Sequence, residues 1–181
     1  MSAAGTINQG APTGAPAIHR ARRIRTTTGP GPSNYAINVV TFSVVRESPT
    51  TDRATASSPA DVAALARTLI PDDAREHFLA LLLDAQNRLV ATHEVSSGTL
   101  SASLVHPREV FGPALRIMGV SALILVHNHP SGDPTPSRED IRLTHQLAEA
   151  GHLLDLRVHD HVILGNGTGR YVSLAERGLM P

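Results

Sequence analysis

The stretch from 120 to 150 constrains this chain most. An apolar run, 120–126, leads straight into His127-Asn128-His129. A loop stiffened by Pro130, Pro134 and Pro136 follows, and Ser137-Arg138-Glu139-Asp140 opens a helix-like run over 141–150. Residues two apart in an extended segment face the same side, so His127 and His129 share a face with Cα atoms roughly 7 Å apart. From there two imidazole nitrogens can converge on one ion at about 2.0–2.1 Å. Asp140, in the first turn of the next helix, can face back across the loop. Two histidines and one carboxylate leave a fourth tetrahedral position for water, as in catalytic rather than structural zinc sites. A non-haem iron triad uses the same ligand types; an α/β pattern with an upstream acid favours zinc. Ser137 and Asp140 also read as a capping box, S-x-x-D. The two readings are compatible, since a capping serine can still expose its hydroxyl.

The rest of the chain predicts a scaffold for that stretch. Ser58-Pro59-Ala60-Asp61 starts a helix, with Ser58 as cap, Pro59 in the first turn and Asp61 placed for a capping box. Val62, Leu65, Ala66 and Leu69 recur at helical spacing, and Pro71 ends the run. The nearly continuous apolar run 76–84 predicts a buried strand, 84–87 a turn, and 89–95 its hairpin partner. Ser96-Ser97-Gly98 predicts a further turn. A helix is predicted over 107–118, with Val110, Phe111, Ala114, Leu115 and Met118 on one face and Pro113 marking a kink or an early end. A strand at 121–126 delivers the chain to His127. A helix from 137 to about 150 is closed by Gly151. Strand-like 153–164, a glycine-rich turn at 165–169 and a short return at 171–174 complete the order. Helices interleave with strands, so the class is α/β: one mixed sheet flanked by helices.

Composition sets the bounds. The 181 residues suit one modest domain plus a tail. Residues 1–33 are rich in Ala, Gly, Pro and Thr, lack an apolar period and predict a disordered tail; 34–57 holds a strand-like segment at 36–46 and a polar linker; 58–181 forms the domain. No cysteine is present, which excludes disulfides and thiolate–metal sites and suits a reducing compartment. There is no membrane-length apolar run and no apolar segment behind the N-terminal arginines, so the expectation is a cytoplasmic protein without a membrane partner. Every basic residue is arginine, which together with abundant alanine points to a GC-rich bacterial genome. The formal charge is zero, giving no global attraction to nucleic acid. Only the tail, with Arg20, Arg22, Arg23 and Arg25 and no acid, offers DNA phosphates a contact.

A hydrolytic metal site also needs a base. Glu76, at the entry to the first buried strand, is a candidate, and on spacing alone Glu94 and Glu109 are its equals. A second H-x-H, His159-Asp160-His161, lacks a proline-rich loop and a carboxylate at similar spacing. It reads as a core group, or as one orienting a ligand from behind. His145 and His152 read as surface or cap residues.

The run HNHPSGDPTPSREDI resembles the JAMM signature, H-x-H-P-x(n)-P-S-x-x-D, of the JAB/MPN metalloprotease superfamily, and its wording is similar to the RadC branch. GTLSASLVHPREVFGPAL upstream and DHVILG downstream resemble RadC blocks in the same order, so the likeness spans roughly 58–179. It implies a single JAB/MPN-like (cytidine deaminase-like) domain, a curved mixed sheet wrapped by helices. It further implies Zn²⁺ held by His127, His129 and Asp140, Ser137 steadying the water and oxyanion, and Glu76 as the base. This is what promotes Glu76 over Glu94 and Glu109. The implied activity is hydrolysis of a peptide or isopeptide bond in a peptide or protein substrate. A non-catalytic, DNA-associated scaffold is the alternative, but scaffold members of the superfamily generally lose a ligand or the glutamate, and none is lost here. Full-length RadC proteins usually carry an N-terminal helix-hairpin-helix module. The low-complexity tail stands in that place, and Ser101-Ala102 replaces a frequent Asn-Ser.

Overall fold

The computed structural model describes residues 54–71, 73–98 and 105–181. The tail, the strand expected at 36–46 and Ser101-Ala102 lie outside them. Among the described residues the elements are α1 (Pro59–Leu69), β1 (Glu76–Leu83), β2 (Leu89–Gly98), α2 (Pro107–Ala114), β3 (Ala122–His129), α3 (Arg138–Leu153), β4 (Arg157–Gly165) and β5 (Tyr171–Ser173). The strands form one mixed sheet in the order β2-β1-β3-β4-β5. Only β3 and β4 are parallel, joined through α3; the other neighbours are antiparallel. This is the mixed sheet flanked by helices that the sequence predicts.

β1 reads as an unbroken apolar run because both of its faces are covered. Phe78, Ala80 and Leu82 join Leu123 and Leu125 of β3 under α2 and α3, packing on Val110, Phe111, Leu143 and Leu147. Leu79, Leu81 and Leu83 face the other way, with Ala122, Ile124 and Val126, against Val62, Ala63 and Ala66 of α1. Each such leucine, withdrawn from water, contributes about 1.5–3 kcal/mol. The strand period of two thus assigns every residue at the end of β3 to a definite layer. His127 and His129 fall on the α2/α3 side, Asn128 on the α1 side.

The local signals hold with instructive exceptions. Ser58 caps α1, accepting from the Asp61 N–H, but the Asp61 carboxylate takes the Ser58 hydroxyl instead of closing the expected box. The turn at Asp84 forms as read, with its carboxylate accepting from the N–H groups of Gln86 and Arg88. Ser96-Ser97-Gly98 is not a turn. β2 continues through it, and Gly98 pairs with Glu76. The second helix stops at Ala114, one residue after Pro113, and Leu115 and Met118 lie 58% and 95% exposed rather than on a buried face.

Gly151 does not close α3. The helix runs on to Leu153 and ends in a Schellman motif: Leu156 N–H bonds to Gly151 O, and Asp155 N–H to His152 O. The left-handed position is taken by Asp155, φ 55°, a residue whose short polar side chain tolerates it. Gly151 serves packing instead. A Cβ there would collide with the Leu156 carbonyl oxygen and press on the Phe111 ring. We expect Gly151→Ala to destabilise the domain by about 1–3 kcal/mol, as overpacking does, measured by urea unfolding. An unchanged midpoint would mean that the α3 end relaxes freely.

Candidate metal centre

β3 ends in the centre itself. His127 is wholly buried under the stacked ring of Phe78, centroids 5.9 Å apart. His129, one pleat further, is half-buried at the rim. Their Nε2 atoms lie 2.9 Å apart. Asp140 enters from α3, with its two carboxylate oxygens 3.4 Å from His127 Nε2 and 3.6 Å from His129 Nε2. Ligand-type atoms of the three residues all fall within 4.8 Å of one another. Asp140 is aimed by the capping box expected of it. Ser137 N–H donates to its Oδ2 at 2.6 Å, and its own N–H donates to Ser137 Oγ at 3.1 Å. The cap uses a lone pair of the Ser137 oxygen, and the Ser137 hydroxyl also lies within hydrogen-bond reach of the Asp140 carboxylate.

Each histidine is also gripped from behind. His129 Nδ1 lies 2.7 Å from the Asp133 carbonyl oxygen, and this leaves Nε2 facing the centre. The loop carrying Asp133 is fastened to the glycine-rich turn: Arg170 donates to Gly132 O at 2.8 Å, and Asn166 N–H to His129 O at 3.1 Å. Gly165 lets the two segments touch, because Gly132 O occupies the space a Cβ would need. His127 Nδ1 lies 2.8 Å from Nε2 of His161, which is itself fully buried and in contact with Thr144 of α3.

Charge follows the same plan. Burial lowers His127 to about 4, so it stands neutral. Burial likewise lowers His161 well below the ordinary histidine value. His129 is raised, first by the Asp140 carboxylate and then by the Asp133 carbonyl and the nearby charge of Glu76, against its partial burial. Burial would raise Asp140, but His129, His127 and the Ser137 hydrogen bonds outweigh it and hold the carboxyl far below the usual range. His127 thus presents a neutral nitrogen and Asp140 an anionic oxygen, whereas His129 is shifted toward its cation and must release that proton to bind a metal.

The geometry sorts the three candidate bases. Glu76, the first residue of β1, lines the open pocket of about 310 Å³ shared by His127, His129, Ser137, Asp140 and Leu143. Glu94 pairs across β2 with Leu79, on the opposite layer, and meets His77 there. Glu109 is exposed beside Arg108. The backbone on either side of Glu76 is clamped by Asn128, the middle residue of H-x-H. Its side chain accepts from His77 N–H at 2.7 Å and donates to Arg75 O at 2.9 Å.

A family model described as a RadC-like JAB domain matches residues 56–179. The chain belongs to the RadC-like JAB domain family. Relatives include UPF0758 proteins of Geotalea uraniireducens, 53% identical over 60% of this chain and 46% of that protein, and of Syntrophotalea carbinolica, 50% identical over 68% and 53%. A UPF0758 protein of Rubrobacter xylanophilus is 50% identical over the same shares, 68% and 53%. The chain spans about half the length of these relatives.

In this RadC-like domain the second H-x-H divides. A bulge at His159 leaves that residue exposed and turns only His161 inward. The supporting roles of Thr144 and Asn128 were not foreseen from sequence. Thr144 reads there as one more helix residue, and Asn128 only as the spacer of H-x-H. His145 is more than surface: its Nε2 lies 3.0 Å from the Leu179 carbonyl oxygen.

Behind Glu76, buried His77 is held between the Glu94 and Asp73 carboxylates at 2.7 and 3.0 Å. Burial lowers His77, but the two carboxylates prevail and raise it above 6.5. Asp73 is lowered below 3.8, chiefly by its His77 hydrogen bond. A raised histidine stabilises the fold fully below its unfolded value and ceases to do so as pH climbs through its folded value; a lowered carboxyl does the reverse. The clamp is therefore complete between about pH 4 and 6.5 and fades above that window. We expect the melting temperature of the zinc-free protein to exceed that of His77→Gln most at pH 5–6, with the gap narrowing above pH 7. A gap independent of pH would show that the clamp is uncharged.

No described helix is long and apolar enough to cross a membrane.

Proposed function

We propose that this RadC-like domain is a zinc-dependent amide hydrolase, a metallopeptidase or isopeptidase acting on a peptide or protein substrate. The observation that carries the reading is the convergence of His127, His129 and Asp140 at a pocket that Glu76 and Ser137 also line. Two imidazole nitrogens and one carboxylate oxygen are the donors of catalytic zinc sites with an open position. The Nε2–Nε2 distance of 2.9 Å compares with roughly 3.3 Å for two tetrahedral ligands at zinc–nitrogen distance, so small ring movements suffice.

Bound zinc supplies Lewis-acid chemistry, polarising the scissile carbonyl and lowering the pKa of a water toward about 7. Glu76 takes the proton of the attacking water and returns it to the leaving amine. The Ser137 hydroxyl donates to the oxyanion that develops on the carbonyl oxygen. His127, His129 and Asp140 hold the metal. Family membership and the unbroken donor set support this over a scaffold role, which nothing at the site favours.

The test is elemental analysis of the purified chain, followed by mass spectrometry of a proteome-derived peptide library and isopeptide-linked conjugates treated with zinc-loaded wild type or Glu76→Gln. Cleavage by wild type alone is expected. A fully zinc-loaded wild type that cleaves neither substrate class would overturn the hydrolase reading and leave the metal centre standing.

A further inference from the structure

We propose that the buried pair His161 and Thr144 sets the tautomer of His127, so that Nε2 faces the metal position without a proton. The inference rests on reading His127 as a ligand. Its argument is one of hydrogen-bond direction. The Asp140 main-chain carbonyl can only accept, and Thr144 Oγ1 lies 2.6 Å from it. The single Thr144 hydroxyl hydrogen therefore goes there, the back-bond to residue i−4 that helical threonines often make. Toward His161 Nδ1, also at 2.6 Å, Thr144 must then accept, so the His161 proton sits on Nδ1.

A neutral imidazole has one N–H, which makes His161 Nε2 an acceptor. The group facing it at 2.8 Å is His127 Nδ1, which must donate. The His127 proton is thereby committed, and its Nε2 keeps a lone pair toward His129 and Asp140. No water-facing route offers an alternative, since His127 is 1% exposed and His161 and Thr144 are fully buried. His129 reaches the same tautomer by a simpler means, one loop carbonyl. The relay does something that carbonyl does not. It begins on the main chain of Asp140 and ends on His127, tying two of the three ligands into one hydrogen-bonded chain through α3, β4 and β3. His161 and Thr144 are positioning residues, and neither lines the pocket.

The experiment uses the full chain. Long-range ¹H–¹⁵N correlation NMR on the zinc-free protein should show His127 and His161 both protonated on Nδ1. Zinc affinity, measured by competition with a chromophoric chelator, should fall about 10–100-fold in His161→Leu, the usual effect of losing a partner behind a metal-bound histidine. His161→Gln keeps an acceptor for His127 and a donor for Thr144, and should bind close to wild type. Thr144→Val serves if His161→Leu does not fold; it should weaken zinc binding less and give His127 a mixture of tautomers. A His127 proton on Nε2 in the zinc-free wild type would overturn the relay, as would a folded His161→Leu with wild-type affinity. If the wild type binds no zinc, the metal reading fails, and the NMR assignment still decides the relay.

Discussion

Zinc-loaded Glu76→Gln is expected to keep its metal and to turn over about 10²–10⁴ times more slowly than wild type, the usual worth of a positioned acid–base group. Glutamine matches glutamate in size and can still accept a hydrogen bond, but its amide cannot take a proton from water. Folding is spared because the backbone on both sides of residue 76 is held by Asn128, whose bonds do not involve the Glu76 side chain. Metal is spared because the three converging donors are His127, His129 and Asp140. Initial rates on a library-derived substrate, alongside elemental analysis of the same preparation, separate the two effects. Equal rates would remove Glu76 from the mechanism; parallel loss of zinc and activity would make it a ligand.

Loss of the metal is the second large effect. His127→Ala/His129→Ala and Asp140→Ala should each retain almost no zinc after dialysis, a greater loss than the 10–100-fold typical of removing an outer partner. Asp140 needs a finer experiment because it has two tasks. Its carboxylate closes the α3 capping box while facing the centre, and Asp140→Ala removes both, taking the charged acceptor from Ser137 N–H at a cost of about 1.5–3 kcal/mol. Asp140→Asn separates them. The amide oxygen can still accept from Ser137 N–H, so helix stability should stay near wild type while metal affinity drops with the negative charge. Full zinc occupancy in the double histidine variant, by elemental analysis, would sink the ligand assignment.

The relation between chain and site is uneven. His127, His129, Asp140 and Ser137 could be picked out from 120–150 because strand parity and a capping box act over a few residues. Two histidines two apart must share a face, and S-x-x-D must turn an acid back over a helix start. Glu76 is different. From spacing it equalled Glu94 and Glu109, and only the family resemblance ranked them. In the structure the reason is a matter of layers. Glu76 and Phe78 lie on the side of β1 that faces His127, whereas Glu94 pairs with Leu79 on the other side.

Several errors share a cause. Ser96-Ser97-Gly98 looks like a turn, yet the β2 ladder carries it forward to reach Gly98 opposite Glu76. Gly151 looks like a helix stop, yet a tertiary contact, the returning Leu156 carbonyl, explains the glycine. Local propensity is a weak prior where packing supplies more contacts.

What the sequence by itself determined, then, is the stretch at 120–150: a buried strand, two imidazoles on one face, a rigid loop and a capped helix carrying a carboxylate. Each follows from periods and caps that operate within a few residues. What only the tertiary structure decided is everything that approaches that stretch from elsewhere: Glu76 across the sheet, His161 and Thr144 behind His127, and Gly165 beneath the loop. These depend on register and on a bulge at His159. A shift of one residue reverses a strand's faces, and no local pattern records which register the whole sheet adopts.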